Sequence, residues 1–166
     1  PKGSTADYLS LRYSHPKWLV SRLIDILGAE EAEQYLRCNN TIVPTTIQTN
    51  TVKITPEALE KELRTTGVTV TSHPWMAGCF EVRGTGDLEN MDAFRKGLFT
   101  VQDAAARLVS TVAAAKETDR VLDVCAAPGG KSFALAIDMR DQGDILSCDV
   151  HPHKLKLIEN GAARLG

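Results

Sequence analysis

The sequence predicts an α/β protein: a helical lead-in, a small α+β module, then the opening strands of a parallel, doubly wound sheet. Three observations support this. Val121-Leu122-Asp123-Val124 is an apolar strand that runs into the small-residue stretch Cys125-Ala126-Ala127-Pro128-Gly129-Gly130, and a helix opens at Lys131. A second strand-like run, Asp144 to Cys148, ends on Asp149 and is followed by a helical pattern from Pro152 to Leu165. Between residues 41 and 100, short alternating runs and helical stretches follow one another without a repeat, a low-complexity tract or a long linker. The expected divisions are a lead-in over 1–40, an α+β module over 41–101 and the start of a cofactor-binding domain over 102–166.

Each element has a local signal. Ser14 is placed to cap a helix with Pro16 in its first turn, and Gly28 ends it. Trp18, Leu19, Leu23, Ile26 and Leu27 fall on one stripe, which makes Trp18 a core residue. Glu30 and Glu31 favour a second helix that fades at Asn39-Asn40. Pro44 to Asn50 reads as an edge strand. Thr55-Pro56-Glu57 opens a helix through Arg64, stopped by Gly67. Val68–Thr71 and Cys79–Arg83 alternate as strands on either side of the turn at His73-Pro74. Met91–Phe94 forms one helical turn and Phe99–Val101 a short strand. A helix over 103–115, capped by Gln102 or Asp103, precedes the strand at 120–124. Helix 131–140, strand 144–148 and helix 152–165 complete two βα units.

Composition narrows the function. Apolar residues make up 43% of the 166, ordinary for a globular chain. No apolar stretch approaches the length of a membrane span, and no signal-peptide pattern is present. Cys38, Cys79, Cys125 and Cys148 are scattered, without a C-x-x-C pair or a histidine at ligand spacing, which predicts reduced thiols, no metal and a cytoplasmic location. Cys125 and Cys148 read as small packing residues. A net charge of −2, near balance in every segment, argues against a broad basic surface. Contact with nucleic acid would therefore use a local patch.

Three ligands compete for the loop at 125–131. A P-loop supplies G-x-x-x-x-G-K-[ST], but its first glycine falls at Cys125, and Pro128 removes an amide donor. A dinucleotide site needs G-x-G-x-x-G, a spacing that does not occur here. S-adenosylmethionine brings a carboxylate and a ribose but no phosphate. A helix N-terminus and Lys131 suit the carboxylate, and Asp149 is placed for the ribose hydroxyls. The third reading is preferred. Its cofactor-binding residues are Cys125, Ala126, Ala127, Pro128, Gly129, Gly130, Lys131 and Asp149, with Asp123 orienting the loop through backbone hydrogen bonds.

Asp123-Val-Cys-Ala-Ala-Pro-Gly-Gly-Lys131 resembles motif I of the Sun (Fmu, RsmB-type) family of 16S rRNA cytosine-5 methyltransferases. Gly97 to Ala106 looks like that family's segment leading into the catalytic domain, and Ser14-His-Pro-Lys-Trp-Leu19 is similar to its "S-x-P-x-W-L" start. One departure is Thr49, where the family more often has an arginine before the asparagine. The resemblance implies the start of a class I SAM-dependent methyltransferase (Rossmann-like) sheet, an RNA-binding-like role for the α+β module and ribosomal RNA as the partner. In that family a cysteine thiolate adds to C6 of cytosine so that C5 can attack the methyl group. The family's nucleophile and its Pro-Cys cysteine sit on later strands, so no catalytic residue is expected within these 166 positions. The resemblance thus implies a piece truncated at both ends, with one wall of the pocket, and weak or absent binding of S-adenosylhomocysteine. It also implies an open sheet edge beside strand 120–124 through which copies could self-associate. The alternative is a non-catalytic nucleic-acid- or protein-binding module with a vestigial cofactor loop.

Overall fold

The computed structural model describes residues 3–166, and these divide into two compact units, 3–43 and 44–166. The first contains α1 (Thr5–Tyr13), α2 (Lys17–Leu27) and α3 (Ala29–Asn39). Helix α1 was not expected. Its start is a capping box: the Ser4 hydroxyl accepts from the Asp7 amide at 3.3 Å, and the Ser4 amide donates to the Asp7 carboxylate at 3.0 Å. Ser14 closes α1 in the left-handed conformation and does not open α2, which begins behind Pro16 without a side-chain cap. The core joins Leu9, Tyr13, Val20 and Leu36, with Leu23 and Ile24 packed against it. Trp18 is 72% exposed and Ile26 64%, which corrects the expected core stripe. The apolar arc of α2 is wide, and α1 and α3 cover only its Val20–Leu23–Ile24 side.

The second unit opens with β1 (Thr45–Thr49), α4 (Pro56–Thr65), β2 (Thr69–Ser72), β3 (Cys79–Arg83), α5 (Asp92–Arg95) and β4 (Phe99–Val101). The sheet order is β2-β3-β1-β4 with every pair antiparallel, the β-α-β-β-α-β arrangement of a ferredoxin-like module. Its core gathers Ile47, Leu59, Leu63, Val70, Phe80 and Phe99 under α4 and α5. Strand β1 is interior, not an edge: Thr45 lies opposite Val82 of β3, and Thr49 opposite Phe99 of β4. Pro44 precedes the ladder, so its missing amide costs no strand bond. Of the buried polar residues of β1, the Thr49 hydroxyl donates to the Gly78 carbonyl at 2.8 Å, whereas Gln48 Oε1 has no hydrogen-bond partner among the described residues.

The chain continues through α6 (Ala104–Ala113), β5 (Arg120–Asp123), α7 (Gly130–Asp138), β6 (Asp144–Ser147) and α8 (Pro152–Leu165). Asp103 caps α6 through the Ala105 and Ala106 amides, as expected. Strands β5 and β6 pair in parallel, Arg120 opposite Asp144 and Asp123 opposite Ser147. A bidentate Arg107–Asp138 pair, 2.7 and 2.6 Å, ties α6 to α7. The last turn of α8 is held by the ferredoxin-like module. The Asn50 amide donates to the Gly97 and Leu165 carbonyls at 3.0 and 2.9 Å, and the Lys53 ammonium to those of Lys96 and Arg164. These bonds satisfy carbonyls that a helix end leaves free. Gly97, at φ +71°, packs so tightly that a β-carbon there would strike the Arg164 carbonyl. None of the described helices is long and apolar enough to cross a membrane.

Candidate functional site

The parallel strands end side by side, and the loop at 124–129 passes over their carboxyl ends to α7. The backbone fixes its path. The Cys148 amide donates to the Asp123 carbonyl at 2.8 Å and the Ala126 amide to the Cys148 carbonyl at 2.9 Å, so the loop stays zipped to the end of β6. It then turns through a Gly129-to-Ala126 bond of 2.6 Å, with Gly129 at φ +110° as the N-cap of α7. No side chain caps α7 there, so its first amides face outward from the corner.

Two carboxylates shape the corner from below and from the side. Asp123 accepts from the Ser132 hydroxyl at 2.8 Å and from the Cys125 amide at 3.3 Å, and Ser147 in turn donates to Ser132 at 2.8 Å. This chain joins the ends of both strands to the first turn of α7. Asp149 reaches back over the loop: one oxygen accepts from the His151 amide at 3.0 Å, the other from the Ala127 amide at 3.3 Å. The His151 amide, and after it that of Ala127, hold the Asp149 carboxyl below the usual carboxylate range, so it is ionised at neutral pH. Each of its oxygens keeps a second acceptor position.

The residues expected to form the pocket are brought together, with different exposure. Ala126 and Gly129 are buried, Ala127, Gly130 and Asp149 half-buried, and Cys125, Pro128 and Lys131 exposed. The exposure of Cys125 corrects its reading as strand-end packing: β5 stops at Asp123, whose carboxylate draws the Cys125 amide and turns the chain outward. Cys148, expected in the core, is half-buried. Local spacing did not reveal Ser132, Ser147 or the full role of Gln102. Gln102 is buried, its backbone amide donates to the Thr46 carbonyl at 3.1 Å, and its side chain donates to the Gly130 carbonyl at 3.0 Å. It therefore pins the start of α7 to the ferredoxin-like sheet. A cleft of about 320 Å³ opens beside the loop, between Thr100 and Val101 on one side and Pro128, Gly130 and Phe133 on the other.

This donor set suits a cationic nucleoside better than a polyphosphate. The Ala127 amide, which would have to serve a phosphate, already serves a carboxylate, and a phosphate chain would lie against ionised Asp149. A sulfonium, an ammonium and ribose hydroxyls are all compatible with that charge.

A ferredoxin-like module followed by this strand–loop–helix corner defines the start of a methyltransferase-type α/β domain. The family model described as the ferredoxin-like domain of RsmF/B-like methyltransferases matches residues 15–89, and that of the 16S rRNA methyltransferase RsmB/F matches residues 110–166. The chain belongs to the Sun, RsmB-type methyltransferase family. It is 34% identical to the probable ribosomal RNA small subunit methyltransferase B of Bacillus subtilis, over 95% of this chain and 35% of that protein. To the human 28S rRNA (cytosine(4447)-C(5))-methyltransferase it is 29% identical, over 95% of this chain and 20% of that one. The crystal structure of PH0851 superimposes with a TM-score of 0.90 at 30% identity, covering 100% of this chain and 38% of that one. The chain thus spans about a third of the length of the curated bacterial relatives it matches.

Proposed function

We propose that this chain is the ferredoxin-like and cofactor-binding part of an S-adenosylmethionine-dependent rRNA cytosine-C5 methyltransferase acting on 16S ribosomal RNA in the cytoplasm. The observation that carries this reading is the placement of Asp149. Its ionised carboxylate spans the loop at Ala127 with acceptor positions to spare, one strand over from the glycine-rich helix start. In the proposed complex Asp149 accepts from the ribose hydroxyls. The amides of Gly130 and Lys131, with the Lys131 ammonium, receive the methionine carboxylate. Cys125, Ala126, Ala127, Pro128 and Gly129 form a low wall that lets the nucleoside approach the backbone. The cofactor supplies the methyl group; the chain's own residues bind and orient it. In this proposal the ferredoxin-like module, pinned to the corner by Gln102, presents the RNA.

Nitrogen-15 NMR titration of the 166-residue chain with S-adenosylhomocysteine and, separately, with ATP tests this. Weak binding of the first is expected, with shifts confined to residues 125–131 and 149, and Asp149→Asn weakens it about tenfold. Shifts from ATP at the loop would overturn the reading, and tight binding of S-adenosylhomocysteine by these 166 residues would overturn the one-walled pocket. A second part of the proposal is self-association. Among the described residues β5 is paired only with β6, and Leu122, Val124 and Leu146 are exposed. Light scattering is expected to show concentration-dependent oligomers that Leu122→Lys with Leu146→Lys disperses; a monodisperse wild-type monomer would refute this part.

A further inference from the structure

Phe133 sits one turn into α7, and its ring presses on two glycines at once. A β-carbon built on Gly129 would overlap the ring, with two of its carbons at 2.6 and 2.9 Å, distances that real side chains do not tolerate. One built on Gly161, within α8, would overlap the same ring, with further carbons at 2.6 and 3.5 Å. The ring is thus a wedge between a loop glycine and a helix glycine. Both neighbours are constrained from elsewhere. Gly129 donates to Ala126 at 2.6 Å and accepts from the Phe133 amide at 2.8 Å. Helix α8 is clamped at its last turn by Asn50, Lys53 and the Arg164 side chain, which donates to the Phe94 and Phe99 carbonyls at 2.8 and 3.0 Å. With α8 tied at its last turn on one side, the ring sets how far the Ala126–Gly129 turn can sink toward the sheet. That turn carries the Ala127 amide to Asp149.

We propose that Phe133 is a positioning residue for the cofactor loop, and that Gly161 is glycine so that the ring can occupy this place. In α8 an alanine would otherwise be preferred by about 1 kcal/mol, so the glycine answers a packing need. The inference rests on the reading of 125–131 as a cofactor loop, but its structural half can be tested without any ligand. The ring lines the cleft beside Pro128 and Gly130 and bears on the loop at Gly129.

The test uses amide hydrogen exchange on the 166-residue chain, with S-adenosylhomocysteine titrations alongside. Gly161→Ala is expected to drive the ring onto Gly129, to speed exchange of the amides at 126–130 about tenfold, and to weaken ligand binding by a similar factor. The amides of the four-stranded sheet should keep their wild-type rates. Adding Phe133→Leu to Gly161→Ala removes the overlap and should restore much of the loop's protection, a non-additivity that a general loss of stability does not produce. Should Gly161→Ala fail to fold, Phe133→Leu alone decides: faster loop exchange with an unchanged sheet supports the proposal. Loop rates equal to wild type in either single variant, or simple addition of the two defects, would overturn it. If ATP and not S-adenosylhomocysteine shifts the loop of the wild type while the loop amides respond as described, the cofactor reading fails and the positioning role of Phe133 stands.

Discussion

The guanidinium of Arg164 lies 3.8 Å over the ring of Phe94, and from that position it donates to the carbonyls of Phe94 and Phe99. One side chain at the end of α8 therefore holds the ferredoxin-like module at three points. Burial lowers the affinity of this guanidinium for its proton, yet an arginine remains charged, so the cost of burying it is offset by the ring and the two carbonyls.

Arg164→Ala is expected to destabilise the unit by about 2–4 kcal/mol, because the ring contact disappears and two carbonyls lose a charged donor. Arg164→Lys should recover less than half of the loss, since an ammonium cannot stack and donate in the same plane. Urea unfolding followed by circular dichroism measures both. A change below about 0.5 kcal/mol for the alanine variant would show that the clamp is dispensable.

Ser132 is the hinge of the Asp123–Ser132–Ser147 chain and is 4% exposed. Ser132→Ala leaves Asp123 without its buried donor and Ser147 without its acceptor, at an expected cost of about 1–3 kcal/mol. Ser147→Ala removes only the outer bond and should cost less. Thermal melts rank the two, and equal losses would show that the chain does not converge on Asp123.

The capping box of α1 makes its stability depend on pH in the acid range. The Lys17 ammonium, and after it the Ser4 hydroxyl and amide, lower the Asp7 carboxyl from 3.8 to about 2. A carboxylate depressed on folding contributes stability above its unfolded value, and that contribution fades as pH falls through the folded value. Helicity of the first unit should therefore hold at pH 5 and decline between pH 4 and about 2. Asp7→Asn should flatten that decline. An identical acid profile in the two proteins would remove Asp7 from the account.

Local patterns foresaw much of the second unit. Helix α8 was expected at 152–165 and lies at Pro152–Leu165, because Pro152 at its first turn and the following apolar spacing are complete in the sequence. Asp103 capping α6 and Asp123 bonding the loop were legible for the same reason: donor and acceptor lie within three residues. Trp18 was misjudged because periodicity says which residues of α2 are apolar but not which side of a wide arc its neighbours cover. Helix α1 was missed because its cap, Ser4 with Asp7, precedes a weakly patterned run in which only Leu9 and Tyr13 are buried.

What the sequence determined unaided is the strand–loop–helix corner with its small residues and the acid one strand over, since backbone conformation and side-chain bulk there are set by residues adjacent in the chain. Only tertiary structure decided that β1 is interior, that Asn50 bridges Gly97 to Leu165 across separations of 47 and 115 residues, and that Phe133 is wedged between Gly129 and Gly161. Those outcomes depend on which surfaces meet once the chain has closed on itself, and a spacing of three or four residues carries no record of that.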